Sequence, residues 1–140
     1  MADKNKHRPG PMRLIDALQY RLPPAGWVSI LHRASGVLMF ALLPFIVWML
    51  DKSLTSEVSY ETFTSAFVFG LLGLPGWCIK IVLLGLIWAY LHHAIAGVRH
   101  LWMDMTHSVS KQQGHVSALV TLGLGSVLTL ALGAKLFGLF

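Results

Sequence analysis

Two short segments hold most of the residues able to do chemistry. In SILHRASG, Ser29, His32, Arg33 and Gly36 recur at i, i+3, i+4 and i+7; in HHAIAGVRHLWMD, His93, Gly97, His100 and Asp104 recur at i, i+4, i+7 and i+11. On a helix each set shares one face. Both segments lie in apolar runs, where an ionisable side chain costs roughly 2.5–3.5 kcal/mol at the bilayer centre on insertion scales, so their presence asks for a function. A neutral imidazole is a good axial ligand for haem iron, and Gly97 and Ala96 would leave room beside it for a flat macrocycle. Haem propionates need cationic partners, which Arg33, Arg99, His32 and His100 can supply. Arg33 also offers a fixed fork of donors to a quinone oxygen, and Ser29 a hydroxyl. Taken alone, Arg33 sits about 9 Å of helix rise from Trp27 and could simply reach back to the membrane surface; the serine, histidine and glycine on the same stripe favour a polar pocket. His92 points about 100° away from His93, and spacing does not choose which of the two faces the pocket. Asp104 suits a surface ion pair with Arg99 or His100 as well as a proton relay. His7, His107 and His115 fall in polar stretches and read as exposed.

The elements that must position these residues follow from composition. The chain has 140 residues, 55% hydrophobic and 12% charged, divided into long apolar runs by short polar pieces. That division suits lipid and excludes an ordinary soluble domain. Three runs, about 27–50, 77–100 and 116–139, are each long enough to cross hydrocarbon. They predict an all-α integral membrane protein of three transmembrane helices forming a single domain over 1–140, with an amino-terminal segment at 1–26. Pro44 predicts a bend in the first span. The net charge of +5 does not form a basic patch interleaved with aromatics, which argues against a nucleic-acid partner. Instead Lys4, Lys6, Arg8, Arg13 and Arg21 precede the first span against Asp3 and Asp16, whereas Asp51, Lys52, Glu57 and Glu61 follow it. The positive-inside rule then puts the amino terminus in the cytoplasm and the carboxyl terminus outside. Residues 1–10 lack the apolar core of a secretory signal, and a bacterial inner membrane is the expected home. The long loop at 51–76 has room for a short interfacial helix. Thr121, Gly125, Thr129 and Gly133 line small residues along one face of the third span for close helix packing. Lys135 can reach the headgroups, and Cys78 reads as a small apolar residue.

On these two segments the chain resembles the larger haem-b membrane anchor of succinate dehydrogenase, the cytochrome b556 subunit of respiratory complex II. SILHRASG looks like that family's signature at the start of its first span, and HHAIAGVRHLWMD like its second, His-x-x-x-Gly-x-Arg-His-x-x-x-Asp. The resemblance implies a haem b shared with a second small anchor subunit, with His93 as this chain's axial ligand and the other histidine coming from that subunit. It also implies His32, Arg33 and His100 on the haem side, and Ser29 and Arg33 at a ubiquinone reduction site. The implied partners are the second anchor, an iron–sulfur subunit, a flavoprotein subunit and the lipid bilayer. Electrons from succinate would pass through them to quinone, linking the tricarboxylic acid cycle to electron transport. The stretch RPGPMRLIDALQYRLPPAGW departs from the Ser-Pro-His pattern common in the family, and the outer loop is longer than the family plan suggests.

Two other readings fit the residues. A b-type anchor could take both axial histidines, His32 and His93, from this chain. A haem-free transporter or assembly scaffold would instead use the polar stripes to line a water path or a helix contact. With no dinucleotide fingerprint and no cysteine cluster, the chain would not oxidise succinate by itself.

Overall fold

A computed structural model describes residues 21–107 and 110–139; the amino-terminal basic stretch, with Asp3, His7 and Asp16, lies outside them. The described residues form five helices: α1 Pro24–Ala41, α2 Leu43–Leu54, α3 Glu57–Ala66, α4 Gly76–Thr106 and α5 Lys111–Leu136. α4 and α5 are each long and apolar enough to cross a membrane. α1 and α2 pass that test together as a pair bent by 58°. The chain is thus an all-α membrane protein with two unbroken candidate spans, and three where the bent pair counts as one.

The break in the first span has a local cause. Pro44 lacks an N–H and its ring crowds the carbonyl one turn earlier, so the ladder cannot run through it. Helix α1 closes with Leu42 N–H donating to Leu38 O at 3.0 Å, and α2 opens with Pro44 in its first turn, where a missing N–H costs nothing. The bend expected at Pro44 becomes a full break at Leu42. The long loop does contain a helix: α3 starts at a reciprocal cap, in which Ser59 N–H donates to Ser56 Oγ at 3.2 Å and Ser56 N–H to Ser59 Oγ at 2.9 Å. The chain then reverses into α4 through Gly70, at φ +98°, where an added Cβ would collide with the Leu74 carbonyl.

α1 packs against both α4 and α5, and α4 against α5, while α2 packs on α3. Small residues set the closest approach: Val28, Ala96 and Ala118 are wholly buried where α1, α4 and α5 meet, with Ala25 and Leu122 packed around them. The small-residue stripe of the third span faces α4, as its spacing predicts. Thr121, Gly125 and Gly133 are buried, Gly125 against His92 and Gly133 against Leu84. Much of the remaining apolar surface is open, including Val37, Phe40, Val47 and Val127, and suits lipid or neighbouring membrane chains.

A Cβ at Gly125 would meet His92 Nδ1 at 3.8 Å, ordinary van der Waals contact, whereas a longer side chain has nowhere to go. Gly125→Ala should therefore leave the melting temperature of the detergent-purified protein nearly unchanged. Gly125→Leu should lower it, at a cost of about 1–3 kcal/mol for overpacking.

Candidate functional site

The two sequence signatures meet face to face where α1 crosses α4. The contact is reciprocal. His93 of α4 lies over Gly36 of α1, whose added Cβ would come within 3.1 Å of His93 Cε1, and His32 of α1 lies near Gly97 of α4, with Nε2 3.7 Å from the equivalent point. Each helix contributes the pattern His-x-x-x-Gly, His32 to Gly36 and His93 to Gly97, so each imidazole sits where the other helix has no side chain. The two rings stack, with centroids 4.1 Å apart and planes 18° from parallel. His100 joins from the next turn but one of α4, its ring 5.2 Å from that of His32 and tilted by 58°.

A hydrogen bond fixes the His93 ring. Its Nδ1 lies 3.0 Å from the carbonyl oxygen of His32 and 3.3 Å from Ser35 Oγ. The fully buried Ser35 hydroxyl donates to the same His32 carbonyl at 2.8 Å, so Nδ1 faces two acceptors. That environment favours the tautomer with the proton on Nδ1 and leaves the Nε2 lone pair free. A backbone carbonyl on the second ring nitrogen is the usual way a metal-ligating histidine is oriented. His93 therefore fits an axial ligand. Ser35 stands outside the stripe that spacing marks in SILHRASG, and its i+3 offset from His32 is the one signal of it in the sequence.

His92 and His93 part company here. His92 is 2% exposed, stacks on Trp88 with centroids 5.6 Å apart and packs against Gly125 of α5. Its Nε2 is buried with no hydrogen-bond partner among the described residues, and the ring is enclosed by Trp88 and by Gly125 of α5, away from the open face where His93 lies. Stacking also weakens the reading that draws both axial ligands from this chain. Imidazole lone pairs lie in the ring plane, so rings stacked face to face as His32 and His93 are do not aim their nitrogens at one iron between them.

Ser29 and Arg33 lie together on the outer side of α1: Arg33 Nη2 donates to Ser29 Oγ at 3.3 Å, and Arg33 is exposed. Three expectations change. Arg99 does not face the histidine cluster; it is buried against α5, Nε donating to Ser117 Oγ at 2.9 Å and Nη2 to Gly114 O at 3.2 Å. Six residues along α4 from His93 turn it by about 120° to the other side of the helix, where it shares a face with His92. Ala96 is not beside an open pocket but in the three-helix core, and Gly97 admits His32 instead of leaving space free. Asp104 is exposed and forms no ion pair with Arg99, His100 or any other described residue.

A helical, multi-pass membrane subunit with a ring-anchored histidine at an interhelical glycine contact is the class this arrangement defines. Comparison with known proteins makes it specific. The family described as succinate dehydrogenase/fumarate reductase transmembrane subunit matches residues 4–132, and the chain belongs to that family. The succinate dehydrogenase cytochrome b556 subunit of Paracoccus denitrificans is 33% identical over 141 residues, covering all of both chains. The subunit of the same name from Coxiella burnetii is 31% identical over 104 residues, 74% of this chain and 78% of that one. That of Rickettsia felis is 26% identical over 113 residues, 81% and 82% of the two chains.

The unequal spaces at the two glycines give a test. Gly36→Ala should disturb the ring of His93, 3.1 Å away, and destabilise the helix pair by about 1 kcal/mol or more, whereas Gly97→Ala, at 3.7 Å from His32, should be tolerated. Thermal melting of the two variants measures the difference.

Proposed function

We propose that this chain, as one membrane-anchor unit over 1–140, holds haem b together with a second small anchor subunit and helps form the site at which ubiquinone is reduced by a succinate dehydrogenase. The observation that carries the reading is the His93 ring, tied through Nδ1 to the His32 carbonyl with Nε2 left free to bind metal. The partner subunit would supply the other axial histidine, in keeping with a stacked His32 that cannot share the iron. His32 and His100 flank His93 and are the groups of this chain suited to propionates, with Arg33 as the nearby permanent cation. Haem, when bound, supplies a one-electron store and a link between subunits, its potential set by its ligands and their hydrogen bonds.

At the quinone, this chain's part is to bind and to stabilise charge. Arg33 presents a guanidinium whose orientation is limited by its bond to Ser29, and a fixed cation in a dry site acts where negative charge develops on the quinone oxygen. The Ser29 hydroxyl donates a second hydrogen bond to the same substrate. Two electrons arrive from an iron–sulfur subunit and two protons from the aqueous side. Asp104, exposed at the end of α4, can pass protons inward. Flavoprotein and iron–sulfur subunits would dock on the cytoplasmic face. The basic residues ahead of the first span support an amino terminus on that side of a bacterial inner membrane and a periplasmic carboxyl terminus.

Replacement separates the roles. In the assembled complex His93→Leu should abolish the reduced-haem absorption bands, while His92→Leu should keep them; an unchanged spectrum in His93→Leu would remove the ligand assignment. Arg33→Leu should depress quinone reduction about tenfold or more while succinate oxidation by an artificial dye persists, and equal loss of both would contradict the quinone role.

A further inference from the structure

The face of α4 turned away from the histidine contact carries a charge that the site above leaves unused. Arg99 is 8% exposed, and its two bonds, to Ser117 Oγ and Gly114 O, go to neutral oxygens and leave Nη1 without a partner among the described residues. A guanidinium buried among neutral groups is costly unless an anion reaches it. Arg99 borders two cavities, and among the described residues no aspartate or glutamate lines either. One, of about 540 Å³, sets Lys111 and His115 beside Arg99 at the start of α5, next to the cap residue Ser110. The first N–H groups of that 26-residue helix add partial positive charge there. The other cavity, of about 670 Å³, extends along the outside of α4 and α5 between Val98, Trp102, Val116 and Val120, each more than half exposed. A cationic recess at the end of two spans thus adjoins an apolar groove that follows them into the membrane, Arg99 and Met103 lining both.

We propose that these adjoining cavities bind one anionic phospholipid, its phosphate held by Arg99 and Lys111 at the start of α5 and an acyl chain laid along the groove. The headgroup supplies the missing counter-charge, and the groove excludes a small soluble anion as the best occupant because most of its lining is hydrocarbon. The proposal is independent of the haem and quinone assignments, which use the opposite face of α4.

Native mass spectrometry of the intact complex, delipidated and titrated with phosphatidylglycerol or phosphatidylcholine of matched chains, tests it. The complex should retain phosphatidylglycerol preferentially, and Arg99→Gln and Lys111→Gln should each weaken that preference about fivefold, the worth of one cation near an anionic surface. Lys52→Gln, at the far end of the bent span, should not. Lys111 is exposed, so its replacement reports on binding even if loss of Arg99 disturbs the helix pair. Equal retention of the two lipids, or a preference indifferent to Lys111→Gln, would overturn the proposal. So would displacement of the lipid by equimolar inorganic phosphate, which would point to a free anion, or a preference that emerges only in Asp16→Asn, which would make an amino-terminal carboxylate the native partner.

Discussion

An imidazole placed in hydrocarbon has to satisfy its N–H, and in this chain it does so on the backbone of a neighbouring helix. The bond from His93 Nδ1 to the His32 carbonyl is possible only because α1 and α4 approach closely, and they approach closely because Gly36 and Gly97 remove the side chains that would hold them apart. The remaining features of the site follow from that contact: the stacked His32, the nearby His100 and the free Nε2 all depend on the same crossing. A helical carbonyl already engaged in its own ladder has a second lone pair, so the bond adds to α1 without breaking it. Ser35 shares that second lone pair, donating to the same oxygen at 2.8 Å while its own Oγ lies 3.3 Å from His93 Nδ1.

The second consequence is a division of labour on α4. One face, with His93, Gly97 and His100, meets α1 and carries the proposed redox ligand. The other, with His92, Ala96 and Arg99, meets α5 and the core. A helix polar on two sides in a membrane must shield both; α4 buries the side of His92 and Arg99 and half-buries that of His93 against α1. The stripe of Thr121, Gly125 and Gly133 on α5 is what allows the second burial, since a bulky residue at 125 would evict His92.

Much of this was legible in the residues. Periodicity of 3.6 placed His32 with Gly36 and His93 with Gly97 and His100, and small residues every fourth position marked the α5 face, whereas Ser29 and Arg33, read into the first stripe, lie on the outer side of α1. What spacing could not give was rotation between helices. From sequence Arg99 and Ala96 looked like neighbours of the ligand, because both sit within the signature; the angular step along α4 turns them instead toward α5. The choice between His92 and His93 was likewise invisible to periodicity, being set by which helix covers which side. Ser35 was missed because its partner, the His93 ring, lies 58 residues away in sequence. Pro44 announced a bend, but its size depends on how α2 packs against α3, a tertiary contact that local sequence does not specify.

A density map of the intact complex at a resolution that shows ring planes tests the central claim most directly. The account predicts continuous density from His93 Nε2 to an iron atom, with His93 Nδ1 still within hydrogen-bond distance of the His32 carbonyl and His92 enclosed against Gly125. Iron bound to His92 or to His32, or a His93 ring swung away from that carbonyl with lipid or side chains filling its place, would contradict it.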